Sequence, residues 1–299
     1  GLVVYAAGLL SKSVAITVPL MALAWDWRRL GARALLRSAL ARWDKRWLLK
    51  FISYAALTAV SLLYLAIIWS NRYVESSLNK IPRSLDIQLI TQTKALVYYI
   101  WISIMPVNLN IEHQFMVSHS IAAPVVLVSL LFLGSWVALL ARLRERILGF
   151  GFVWFVIALL PASIVPLNIL VSERRMYLAS AGLIVIAVWT WHQFFRSRRL
   201  SALTIGGALC LVLALSSIER NEVWADEISI WTDSAEKSPL MPRSRLNLAI
   251  AYHKRGDLKA ALAELETGLK LQRDFAEGWV LKGNILSEQG ELTASEAAY

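Results

Sequence analysis

Two polar islands interrupt an otherwise apolar chain, and both hold side chains able to meet a phosphate or a sugar. The first is Glu173-Arg174-Arg175, in the middle of VPLNILVSERRMYLASAGL, residues 165–183. Adjacent guanidiniums offer forked hydrogen bonds to a phosphate, and a neighbouring carboxylate can hold one of them in place. A charge at mid-bilayer costs about 2.5–3.5 kcal/mol, so such a triplet belongs at the membrane edge or on a polar cavity. The residues alone leave open either a phosphate site or loop arginines that snorkel to the headgroups. The second island, PVNLNIEHQFMVSHS (106–120), supplies Asn108, Asn110, Glu112, His113, Gln114 and His119. These could line a polar rim for a sugar or diphosphate, or form a solvated loop. His113 and His119 stand six apart with no HExxH pattern, which argues against a metal. Lys12, inside LLSKSVAIT, is a third oddity: an intramembrane lysine is either a functional group or the partner of a polar group on another helix. No nucleophile triad, glycine-rich phosphate loop or pair of catalytic carboxylates accompanies them.

The elements that must position these groups are membrane helices. Hydrophobic residues make up 57% of the 299, charged residues only 17%, and mean hydropathy is +0.53. A soluble domain usually carries about a quarter charged residues. A span needs roughly 20 apolar residues, and six stretches qualify, at about 2–25, 47–70, 121–141, 147–166, 177–195 and 200–218. Segment 84–105 differs, because its first half, SLDIQLITQTK, is polar on one side. The formal charge of +10 gathers in short loops. Arg28, Arg29, Arg33, Arg37, Arg42, Lys45 and Arg46 form one cluster, RLRER (142–146) a second and RSRR (196–199) a third. The positive-inside rule puts all three in the cytoplasm, so these charges are read as orientation signals and not as a nucleic-acid patch. By that rule residues 84–105 begin and end outside, as an interfacial or re-entrant helix; the alternative is that the charges mislead and the segment crosses. Both polar islands and the C-terminal tail fall on the non-cytoplasmic side. The single cysteine, Cys210, lies in an apolar run and offers no disulfide framework.

Residues 219–299 read as water-soluble. Within 219–241, Trp224, Ile228, Trp231 and Ala235 recur at helical spacing, which predicts an amphipathic connecting helix. From Pro242 the chain repeats at a 34-residue shift that pairs Ala249 with Gly283, Gly256 with Gly290 and Leu265 with Tyr299. This resembles the tetratricopeptide repeat, with small residues for close helix packing and Gly-Asp or Gly-Glu for the turn. The second copy stops halfway and Gly1 begins inside an apolar run, so an internal piece of a longer protein is expected. The fold class expected is all-α: a multispan helical membrane domain (1–218), a connecting helix (219–241) and a tetratricopeptide-repeat solenoid (242–299), whose concave face binds protein or peptide.

Taken in order, LLSKSVAITVPL, TQTKALVYYIWISIMPVNLNIEHQF, LLPASIVPLNILVSERRMYLASAGL and NEVWADEISIWTDSAEKSPLMPRSRLNLAIAYHKRGD resemble the transmembrane and tetratricopeptide-repeat O-mannosyltransferases and their bacterial-type relatives. The resemblance implies a type C glycosyltransferase fold and transfer of a sugar, typically mannose, from a polyprenyl-phosphate carrier to protein. It names the polyprenyl-phosphate sugar as donor substrate and settles no cofactor. It places the protein in a bacterial inner membrane, or an ER membrane, with the repeats periplasmic or lumenal. Such enzymes use an acidic residue as catalytic base in their first external loop, which is expected upstream of Gly1. What carries over is supporting: Glu173, Arg174 and Tyr177 match a Glu-Arg-x-x-Tyr-Leu pattern, with Arg175 as the alternative arginine. Asn108, Asn110, Glu112 and His113 match a second, and Lys12 a third. Ser13 and Gln114 depart from acids usual in the family. Two rivals stand beside this reading: a membrane-anchored repeat scaffold, which predicts that the two islands stay apart and solvated, and a lipid-linked-sugar polymerase, ligase or flippase.

Overall fold

The computed structural model describes residues 1–31, 45–70 and 83–299; Arg33, Arg37 and Arg42 of the expected basic loop lie outside them. The described residues are all-helical, with no strand. The helices are α1 (Leu2–Ser11), α2 (Val18–Leu30), α3 (Lys45–Trp69), α4 (Leu85–Ile104), α5 (Pro124–Leu143), α6 (Arg146–Ile164) and α7 (Met176–Phe194). They continue with α8 (Arg199–Val223), α9 (Glu227–Lys237), α10 (Pro242–Arg255), α11 (Leu258–Leu271), α12 (Ala276–Glu288) and α13 (Leu292–Ala298). Among the described residues four helices are long and apolar enough to cross a membrane: Leu48–Ile68, Pro124–Leu143, Arg146–Ile164 and Arg199–Val223. Helix α8 buries none of its side chains although its faces carry Leu203, Leu209, Leu211 and Leu215. An apolar surface of that size needs lipid or protein against it, and the chain is read as a membrane protein on this ground.

Two of the six expected spans differ in detail. The stretch 2–25 is not one helix. It breaks at Lys12, which is extended at φ −148° and ψ 125°, and resumes through a 3₁₀ turn, Ser13–Thr17, into α2. Helix α7 has 19 residues but ends in Thr190, His192 and Gln193, and its polar end keeps it out of the clearly spanning set. Segment 84–105 forms one continuous helix, α4, and its polar first half is part of it.

The chain divides into two compact units. The first comprises Gly1–Pro106, Val117–Leu170 and Arg174–Arg196; the second comprises Val107–Met116, Val171–Glu173 and Ser197–Tyr299. In the first, α6 and α7 cross at two glycines. A Cβ on Gly182 would stand 2.2 Å from the Gly151 carbonyl oxygen, and one on Gly151 would stand 2.6 Å from that of Gly182. Small residues let helix backbones approach this closely where no hydrophobic effect drives association. The indole Nε1–H of Trp154 donates to the Leu178 carbonyl at 3.0 Å and pins the same pair.

In the second unit, α10 to α13 form successive helix pairs around a core of Leu246, Ala249, Ala261, Leu265 and Ile285. The residues that the 34-residue shift aligns, Gly256 and Gly290, both follow a helix and sit at φ +85° and +81°. This left-handed geometry favours glycine and ends each first helix. The connecting segment differs from its expected face. Helix α8 runs on to Val223, and α9 starts after Asp226, whose side chain accepts from the Ile228 N–H at 3.3 Å. Trp224 therefore precedes α9 and is exposed, and the buried face is Ile230, Ser234 and Ala235. Ser234 meets Ser244 of α10 at 3.0 Å.

Candidate functional site

The groups singled out in the sequence fall into two sets, one in each unit. In the first unit the chain between α6 and α7 is unwound after Val165, where Pro166 cannot continue the helix. Its carbonyls lack helical partners, and a buried carbonyl without a donor is costly. Helix α4 supplies those donors. The Gln88 amide donates to the carbonyls of Ala162 (3.1 Å) and Val165 (3.2 Å), and Gln92 donates to that of Leu170 (3.2 Å). Gln88 and Gln92 are one turn apart and both buried, so the polar side of SLDIQLITQTK is the surface against which the unwound segment lies. Thr91, on the same side, accepts from the Ser118 N–H at 3.0 Å.

Two arginines complete the set. Arg83 donates through Nη2 to the Leu167 carbonyl and through Nε to Gln88 Oε1 at 2.6 Å. Arg175 donates to the carbonyls of Leu170 (2.9 Å) and Ile169 (2.7 Å). Burial, and then the neighbouring Arg175 charge, pull the Arg83 guanidinium below its ordinary range. Two guanidiniums thus stand close on one short, unwound segment, with mutual repulsion that an anion would relieve. Arg174 and Tyr177 are exposed, as is Lys12 at its helix break.

In the second unit Asn110, Glu112 and His113 are buried, at 2%, 4% and 6% exposure, so they are not a solvated loop. Glu173 Oε1 accepts from the Asn110 N–H at 2.6 Å and lies 3.0 Å from His113 Nε2. The Asn110 amide donates to Ser238 Oγ (2.8 Å), and Ser238 in turn donates to the Glu112 carbonyl (2.8 Å). Lys237 donates to the Leu109 carbonyl (3.1 Å), and Gln114 Oε1 accepts from the Leu240 N–H (3.2 Å). Segment 107–116 is therefore laced onto the joint between α9 and α10. Asn108 differs from these: it is exposed and holds φ +53°. Burial pushes the Glu112 carboxyl up, with Arg243 pulling the other way from 3.8 Å. Burial likewise works against ionised Asp233, but hydrogen bonds from Lys237 and Arg220 prevail and hold it below its usual range.

The sequence reading singled out Glu173 and 108–113 without joining them, and missed Arg83, Gln88, Gln92 and Ser238. Gln88 and Gln92 carried a signal, a polar stripe at helical spacing on an apolar helix; Arg83 and Ser238 carried none. Among the described residues no group of three or more His, Cys, Asp or Glu side chains could hold a metal ion.

Comparison with known proteins agrees with part of this. The chain is 25% identical over 166 residues to the protein O-mannosyl-transferase Tmtc3 of Drosophila melanogaster. The aligned stretch covers 54% of this chain and 18% of that protein, so the chain spans less than a fifth of the relative it matches. No protein-family model matches the chain. No solved structure matches it either. The similarity is to a glycosyltransferase, distant and partial.

Proposed function

We propose that the chain is part of an integral-membrane glycosyltransferase that moves a sugar, mannose first among them, from a polyprenyl-phosphate carrier to a protein hydroxyl on the non-cytoplasmic side. The observation that carries this reading is the pair Arg83 and Arg175, held by the carbonyls of an unwound segment beside an apolar helix, with exposed Arg174 next in sequence. In the reaction the acceptor oxygen bonds to the sugar's anomeric carbon while the bond from that carbon to the carrier phosphate breaks. The lipid phosphate leaves with the electron pair, and fixed positive charge stabilises it as it forms. Arg175 and Arg83 are assigned to positioning and to the field, and Arg174 to direct contact with the phosphate. The base that takes the hydroxyl proton belongs, by the family resemblance, to a loop preceding these residues.

Similarity to an O-mannosyl-transferase supports the choice of sugar and of a protein acceptor. The paired helices α10 to α13, with their matched glycines, support a tetratricopeptide array that presents the acceptor. The scaffold reading expects the polar groups at 108–119 and 173–177 to stay apart and solvated; against it, Glu173 meets Asn110 and His113, and Asn110, Glu112 and His113 are buried, while Asn108, His119, Arg174 and Tyr177 are exposed as it expects. The test supplies the full-length protein that contains this chain, in membranes, with labelled polyprenyl-phosphate mannose and follows label into protein. Arg174→Ala is expected to cut transfer about a hundred-fold, the scale seen when one charge-stabilising donor is removed. Unchanged transfer in that variant, or none by folded wild-type protein, would overturn the reading.

A further inference from the structure

A second arginine cluster lies in the first unit, at the ends of other helices. The last turn of α2 brings Arg28 and Arg29, and the α5–α6 hairpin brings Arg144, Glu145, Arg146 and Ile147, to one cleft of about 490 Å³. Four guanidiniums face one carboxylate there. The neighbouring carboxylate on α2, Asp26, is already committed to Lys50 (2.8 Å) and Tyr54 (3.0 Å). An orientation signal needs only the number of charges in a loop. This cluster has more: one of its guanidiniums is stacked on aromatic rings and another lies against backbone. Arg28 stacks 5.1 Å from the Trp25 ring centre and 5.8 Å from that of Phe150. Arg146 lies so close to Gly31 that a Cβ there would stand 2.8 Å from its Nη2. Arg144 sits at φ +54°, a left-handed position that arginine rarely fills.

We propose that this cleft binds the phosphate of an anionic lipid headgroup. Helices α5 and α6, both long and apolar enough to span, meet at the cleft, which sets it at headgroup depth. Trp25 and Phe150 line the same level, where aromatic rings gather at membrane interfaces. Basic pockets between spanning helices hold lipid phosphates by this combination of charge and depth. Forked guanidiniums suit a phosphate better than point charges do. The inference rests on the membrane reading alone and stands or falls independently of sugar transfer.

The test titrates delipidated protein with phosphatidylglycerol and counts bound lipid by native mass spectrometry, with phosphatidylcholine as the neutral comparison. Arg29 and Arg144 are exposed, so Arg29→Gln/Arg144→Asn is expected to fold, checked by an unchanged Tm. Its phosphatidylglycerol affinity is expected to fall about thirty-fold, while the charge-matched Arg196→Gln/Arg198→Gln stays within about three-fold of wild type. Arg29→Lys/Arg144→Lys, which keeps the charge and removes the fork, is expected to fall between them. Equal losses in the two neutralised variants would reduce the cleft to general electrostatic attraction and overturn the site. Full displacement of the lipid by sn-glycerol 3-phosphate would overturn the lipid assignment and leave a site for a free phosphate ester.

Discussion

Gln88→Leu is the perturbation that most directly tests how the unwound segment is held. Leucine keeps roughly the volume of glutamine but removes three hydrogen bonds: two donated to the carbonyls of Ala162 and Val165, and one accepted from Arg83 Nε. A neutral bond contributes about 0.5–1.5 kcal/mol and one to a charged group about 1.5–3 kcal/mol. Bonds between membrane helices average nearer 0.6 kcal/mol, which sets a floor of about 2 kcal/mol for three. Gln88 is fully buried, so water cannot readily replace its amide, and the expected loss is about 2–4 kcal/mol. Unfolding in mixed micelles as a function of the denaturing detergent fraction reads this number. Limited proteolysis at 165–172 reports whether the loss is local. Gln92→Leu, which removes one bond of 3.2 Å, is expected to cost about 1 kcal/mol. A loss below about 0.5 kcal/mol for Gln88→Leu, with no new cleavage, would refute the idea that α4 supplies the partners of the unwound backbone.

Other outcomes follow from single contacts. Gly182→Ala puts a Cβ 2.2 Å from a backbone oxygen and is expected to cost about 1–3 kcal/mol in the same assay, whereas Gly134→Ala, with open space around it, is expected to cost nothing. Ser238→Ala removes the bonds to Asn110 and to the Glu112 carbonyl; a loss of about 1–3 kcal/mol and faster cleavage within 107–116 are expected. Burial raises the Glu112 pKa, so the folded chain holds that proton more tightly than the unfolded chain does. The stability it contributes is present below the ordinary carboxylate range and is lost as pH rises through the raised value. Glu112→Gln is therefore expected to flatten the Tm profile between acid and neutral pH, and a profile identical to wild type would contradict the burial argument.

Much of the architecture was legible because the bilayer imposes a length and a composition on whatever crosses it. Twenty apolar residues in a row announce a spanning helix without knowledge of any contact, and the 34-residue repetition announces paired helices for a similar reason. The break at Lys12 was not legible, since Leu2–Trp25 reads as one apolar run and only the extended backbone at Lys12 divides it. The polar islands show the same limit. Their residue types named a chemistry for phosphate or sugar, but side-chain type does not say which groups already have partners.

The sequence by itself determined that this is an all-helical chain with membrane-length helices, a repeating tail and two polar islands. Only the tertiary structure decided what those islands do for one another. It drew Glu173 to Asn110 and His113, turned Asn110 and Glu112 inward onto Ser238, and spent Arg175 on the carbonyls of Ile169 and Leu170. It left Arg174 exposed. The physical reason is that unwound backbone beside apolar helices must find donors from distant parts of the chain. Which glutamine or arginine answers that demand depends on packing and not on spacing along the chain.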